Sequence, residues 1–252
     1  MVQVKIKKPA AVIFDFSGTA ARESFVEKYL LPYFQTAKKA YFEANWSKDE
    51  CKEDVKALAA VAAKDPGAPK IDTSAGKQEQ INSLAKYVDY CGEAKKEGSK
   101  AFIMYRFHVW FDGYERGKLQ TPVYSDVAVH IQKWHLDLKV KLFIMSNGWA
   151  EATKRFMSKT SHGDLAMLIE DQFDTSLGSL TKPETYKKLI GKIKEDPKEV
   201  VFLTKSPEEG KAAKTAGLNV VLVLTHSDAV DAAQEMCKDI PIARSFTQIE
   251  FI

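Results

Sequence analysis

Four short apolar runs confine this chain to a small set of folds: Ala11-Val12-Ile13-Phe14, Lys141-Leu142-Phe143-Ile144-Met145, Val200-Val201-Phe202-Leu203 and Asn219-Val220-Val221-Leu222-Val223-Leu224. They are continuous rather than alternating, the pattern of parallel strands covered on both faces. Parallel neighbours need crossovers, and helical segments around 124–136, 149–157, 183–194 and 207–216 lie between or beside the last three runs. The expected fold is therefore α/β, a doubly wound parallel sheet. The first run is set apart from the second by a long helical stretch, roughly 20–120. Phe25, Tyr29, Leu30, Tyr33 and Phe34 recur there at helical spacing, as do Val55, Leu58, Ala59 and Ala62. Asp65-Pro66-Gly67-Ala68-Pro69 breaks the pattern, and a further apolar helix runs from Phe102 to Tyr114, ending near Gly117. The expected division is a core of 1–20 plus 121–252 and a helical insertion of 21–120.

Composition excludes several function classes. The chain has 252 residues, 45% hydrophobic and 28% charged, as ordinary globular domains have. A net charge of +3, spread over isolated lysine pairs such as Lys38-Lys39 and Lys187-Lys188, argues against a nucleic-acid partner. No apolar stretch approaches the ~20 residues of a membrane helix, and the N-terminus has no signal-peptide core. Cys51, Cys91 and Cys237 are odd in number and share no metal-binding spacing. They read as buried thiols of a reducing compartment, which makes the cytoplasm the expected location. The histidines form no catalytic constellation legible in sequence. Trp46, Trp110 and Trp134 read as packing residues.

The chemistry lies at the strand ends, where doubly wound sheets bind their ligands. The first run delivers Asp15 to the loop Asp15-Phe16-Ser17-Gly18-Thr19. The second is followed by Ser146-Asn147-Gly148, small donors suited to a phosphoryl oxygen beside the start of a helix. Thr181-Lys182-Pro183-Glu184 sets a lysine ahead of a helix-starting proline. Thr204-Lys205-Ser206-Pro207-Glu208-Glu209 follows the third run.

In this order, these fragments resemble the haloacid-dehalogenase-like phosphatases, with the insertion at the place of a C1-type helical cap. Within that superfamily the chain is similar to the acireductone synthases, the enolase-phosphatases of methionine salvage. The likeness is carried by Leu31-Pro32-Tyr33, Asn45-Trp46, Glu50-Cys51-Lys52-Glu53-Asp54-Val55, His108-Val109-Trp110, Gly163-Asp164-Leu165 and Phe173-Asp174-Thr175-Ser176-Leu177-Gly178. It runs from about residue 10 to about residue 225. The resemblance implies a magnesium-dependent conversion of a diketo-methylthiopentyl phosphate into acireductone. It implies Asp15 as phosphoryl acceptor, Ser146 and Asn147 as phosphate donors, and Lys182 as a candidate phosphate lysine, although the family's own lysine aligns near Leu180.

Two departures fall on the most demanding positions. Ser17 stands where the family has an acid, and a hydroxyl of ordinary acidity is a poor proton shuttle. Lys205 stands where the family supplies a metal-binding aspartate, and an ammonium is the opposite of a magnesium ligand. The expectation is that Lys205 pairs with Asp15, leaving no bound metal, with magnesium needed only if the family activity is retained. Glu208-Glu209 and Thr225-His226-Ser227-Asp228 also depart from the family pattern, and Glu208 and Asp228 are conceivable substitute acids. The expected function is that of a pseudophosphatase binding a protein partner or a small phosphorylated ligand. The alternative is an active or altered enolase-phosphatase.

Overall fold

The structure, a computed structural model, describes residues 3–225 and 227–252, without the side chains of residues 227 and 228. The chain divides into two compact units, Met1–Phe25 with Gln120–Ile252, and Val26–Leu119. The first junction thus falls a few residues beyond the position expected from sequence. Phe25 is the reason: it is buried in the first unit, with its ring edge-on to Phe156 at a centroid distance of 6.2 Å.

The first unit is built on β1 (Val4–Ile6), β2 (Ala11–Phe14), β3 (Lys141–Met145), β4 (Asp171–Phe173), β5 (Val200–Thr204), β6 (Asn219–Val223), β7 (Ile242–Ala243) and β8 (Ile249–Phe251). Strands β2 to β7 form a six-stranded sheet in the order β4-β3-β2-β5-β6-β7, and every pairing in it is parallel. The order runs one way from β2 through β3 to β4, and the other way from β5 through β6 to β7. The switch point therefore lies between β2 and β5, where a doubly wound sheet opens a crevice at its carboxyl ends. A separate parallel pair, β1 with β8, ties the two ends of the unit together.

Each face of the sheet is covered, as the unbroken apolar runs require. On one face, Ile13, Phe143, Met145, Phe202 and Leu222 pack with Tyr186 and Leu189 of α7 (Pro183–Ile193) and Ala213 of α8 (Pro207–Thr215). On the other, Phe14 meets Phe246 edge-on, and Phe246 stacks on Trp134 of α5 (Ser125–Leu136) at 5.4 Å. Helix α6 (Ala150–Ser158) follows β3, and α9 (Ser227–Met236) follows β6. Sequence reading did not anticipate β1, β4, β7 and β8, whose two or three residues are too few to show a period.

The second unit is helical: a π-turn, Val26–Leu30, leads into α1 (Leu31–Asn45), α2 (Asp49–Ala62), α3 (Lys77–Glu93) and α4 (Lys100–Glu115). Its core is aromatic, with Tyr105 stacked on Phe42 at 4.8 Å and flanked edge-on by Phe34 and Tyr41. Trp110 is buried and donates its indole N–H to Leu30 O at 2.7 Å. The three cysteines are buried. Among the described residues no helix is long and apolar enough to cross a membrane.

Candidate active site

Sheet register explains how residues far apart in sequence come together. Phe14 pairs with Ile144 on one side and Leu203 on the other. Asp15 therefore stands level with Met145 and Thr204, and Ser146 and Lys205 follow one residue further on the two flanking strands. Neighbouring strands are about 4.8 Å apart, so the three side chains belong to one small area at the switch point.

The loop after β2 is tightly closed. Asp15 N extends the ladder by donating to Leu203 O at 2.9 Å. Phe16 O accepts from the amides of Ala20 and Ala21 at 3.0 and 2.9 Å, and Gly18 N donates to Ala21 O at 2.7 Å. Gly18 takes φ +83, open to glycine at no steric cost. Phe16 and Phe25 both pack on Phe156 of α6, fixing the two ends of this segment. Thr19 is buried, and its hydroxyl has no hydrogen-bond partner among the described residues.

Asp15 is almost fully buried, and its carboxyl is pushed up to about 7. Burial is the main cause, and the charge of Glu209 adds to it. Lys205 and the amides of Phe16 and Ser17 pull the other way. Glu209 is itself buried and raised, chiefly by desolvation, against an opposing hydrogen bond from Thr204. That bond runs from Thr204 Oγ1 to Glu209 Oε2 at 3.1 Å. Ser206 caps α8 by accepting from Glu209 N at 3.3 Å, with Pro207 in the first turn. Glu208, the other acid of the pair, is exposed and accepts from the Ser206 hydroxyl at 3.2 Å.

Lys205 does not pair with Asp15 as the sequence suggested. Its ammonium forms an ion pair with Glu23. The stem lies over Gly18: a Cβ added there would meet Lys205 Cδ at 2.6 Å and Nζ at 3.0 Å. The exposed Glu23 carboxylate keeps its hydration while neutralising the lysine, whereas a pair with Asp15 would desolvate both charges. Lys205 thus acts on Asp15 through space rather than through a contact.

The remaining sequence candidates divide. Ser17 is half-buried in the loop. Ser146 is buried at 4% exposure, and its Oγ accepts from Gly148 N at 3.2 Å, which leaves the hydroxyl proton to donate elsewhere. Asn147 is exposed in the same turn. Lys182 is exposed ahead of α7, and no described hydrogen bond or ion pair joins its ammonium to the strand-end residues. Leu180, the alternative lysine position, is buried in the core. His226 and the side chains of Ser227 and Asp228 lie outside the described residues. Glu209 and Glu23 were not singled out from sequence as site residues. Glu209 could have been found, because Glu209, Ala212 and Ala213 share the buried side of α8 while Glu208 faces solvent. Nothing in the sequence marks Glu23.

A divalent cation does not suit this donor set. The Lys205 side chain brings a positive charge over Gly18, and the Asp15 carboxyl is held toward its neutral form. Among the described residues no group of three or more His, Cys, Asp or Glu side chains is placed to hold a metal ion.

Comparison with known proteins identifies the lineage. Enolase-phosphatase E1 of Danio rerio is 30% identical over 249 residues, covering 95% of this chain and 94% of the relative. The chain belongs to the enolase-phosphatase E1 family. The Anopheles gambiae member is 31% identical over 247 residues, covering 96% of this chain and 82% of that protein. No family model matches the chain. The UTR4 protein of Saccharomyces cerevisiae superposes with a TM-score of 0.71 at 21% identity, over 94% of this chain and 98% of that one. A dehalogenase crystal structure superposes at 0.52 with 12% identity, covering 96% of each chain. These likenesses show that the chain shares the fold of both structures.

Proposed function

We propose that this chain is a family member that has lost efficient metal-dependent phosphoryl transfer and works by binding a phosphorylated small molecule or a partner protein. One observation carries this reading: the Lys205 side chain lies over Gly18, three residues after the carboxylate that would have to serve as nucleophile, and its positive charge acts on that carboxylate through space. By the family resemblance that position belongs to a metal-binding aspartate. Coulomb's law gives ~4 kcal/mol per pair of unit charges at 4 Å and an effective dielectric of 20, so a divalent ion would face about twice that repulsion. Ser17 adds a second lesion, since losing a positioned acid-base group typically costs ~10²–10⁴-fold in rate. The reading includes a cytoplasmic location, which the three scattered, buried cysteines support.

The names of the relatives favour a second reading, in which the chain retains enolase-phosphatase activity in methionine salvage with magnesium. A magnesium titration of turnover separates the two, using a generic phosphate ester and the diketo-methylthiopentyl phosphate. The binding reading expects no magnesium-dependent product release above a Asp15→Ala control. Magnesium-dependent release of inorganic phosphate that Asp15→Ala abolishes would overturn it.

A further inference from the structure

We infer that Lys205 serves as a built-in cation for the phosphate group of a small phosphate monoester, bound without any metal, and that Glu23 occupies this cation until the ligand displaces it. The inference rests on the binding reading above and assigns that site its ligand chemistry and its internal competitor. A bound divalent ion would ordinarily supply positive charge to a phosphate at such a site. Among the described residues, the cation that geometry brings to the switch point is covalent: Lys205 follows β5, lies over Gly18 and is one residue past the level of Asp15. On the opposite flank of β2, the buried Ser146 hydroxyl retains a proton to donate. Lys205 and Ser146 thus bracket Asp15 from β5 and β3, an ammonium on one side and a hydroxyl on the other.

Glu23 has the character of an exchangeable partner. Its carboxylate is the ion-pair partner of Lys205, yet its side chain is 71% exposed while that of Lys205 is 32% exposed. An exposed pair of this kind contributes little. A phosphate dianion offers more charge and more acceptor oxygens than a carboxylate, so it can take the ammonium from Glu23. The neutral form of Asp15, favoured by its burial, would spare the incoming dianion one repulsion.

The test is calorimetric titration of the full chain with inorganic phosphate in excess EDTA. Alongside it run Lys205→Met, Glu23→Gln and Lys182→Ala, each checked for folding by circular dichroism. The expected result is metal-free binding that weakens at least about tenfold in Lys205→Met, the loss typical of a charge-assisted hydrogen bond. Glu23→Gln should tighten binding about two- to fivefold, the scale of an exposed ion pair, and Lys182→Ala should leave it unchanged. Phosphate binding that requires magnesium, or that survives Lys205→Met and is lost in Lys182→Ala, overturns the inference. So does failure of both the unmodified chain and Glu23→Gln to bind phosphate. Unchanged affinity in Glu23→Gln removes the competitor role. Turnover with magnesium, measured separately, reports on the binding reading itself, so the two can fail independently.

Discussion

Lys205 and Gly18 are in direct steric register: a Cβ on Gly18 would stand 2.6 Å from Lys205 Cδ. Gly18→Ala therefore meets two penalties, the lysine stem and a backbone at φ +83. Strain of this kind costs on the order of 1–3 kcal/mol. Urea denaturation should show a loss of that size. In a Lys205→Ala background the loss should shrink, because the steric part is gone while the backbone part remains. Equal losses in both backgrounds would show that the stem does not press on the glycine.

The buried acids give stability a definite pH dependence. Asp15 rises from 3.8 to about 7 on folding, through burial first and Glu209 second. The folded state then holds a proton that the unfolded chain has already released. Stability from the neutral carboxyl is full below the ordinary aspartate range and is lost as pH rises toward about 7. Glu209 is shifted in the same direction and adds to the trend. Asp15→Asn should flatten the decline in urea midpoint between about pH 4 and about pH 7. Parallel profiles for the two proteins would place the pH dependence elsewhere.

Sequence patterning was most informative where one physical cause dominates. The runs ending in Phe14 and Met145 are strands with those endpoints, because a strand buried on both faces must be apolar throughout. The helix starting at Pro183 was legible from its proline and its apolar period. At the site, Asp15, Ser146 and Lys205 were legible because loops at strand ends are fixed by the strands. The partner of Lys205 was not, because a four-carbon stem can reach several carboxylates and only three-dimensional placement chooses Glu23. His108 was hidden for a related reason. Its Nδ1 meets both carboxylate oxygens of Asp54 at 2.9 Å, across a separation of 54 residues.

That contact supports a prediction about the helical unit. Asp54 is buried on α2, accepts from Tyr41 Oη on α1 at 3.0 Å, and faces His108 on α4. Glu50 Oε2 also approaches His108 Nε2 at 3.5 Å. One carboxylate thus joins three helices. Asp54→Ala would leave the tyrosine hydroxyl and the imidazole without this acceptor, at a cost of about 2–4 kcal/mol. Tyr41→Phe removes one donor and leaves the His108 contact in place, so it should cost ~1 kcal/mol. Thermal melts of the two variants should rank in that order, and a neutral Asp54→Ala would deny the carboxylate its structural role.

The two departures from the family pattern can be repaired separately, which tests the proposed loss of activity most directly. Lys205→Asp removes an ammonium and supplies a carboxylate beside Asp15, so calorimetry should detect divalent-cation affinity that the unmodified chain lacks. Phosphatase activity of that single variant should remain slight, because Ser17 still cannot protonate a leaving oxygen or activate water. Adding Ser17→Glu should raise the rate by a further ~10²–10⁴-fold. Ser17→Glu alone should do far less, since groups of one catalytic unit are strongly non-additive. Turnover by the unmodified chain near the rate of the double variant would mean that neither residue impairs it. If cation affinity appears without activity in the double variant, the substrate pocket itself has diverged. Glu208-Glu209 would then be the next residues to exchange, because Glu209 is the buried acid closest in influence to Asp15.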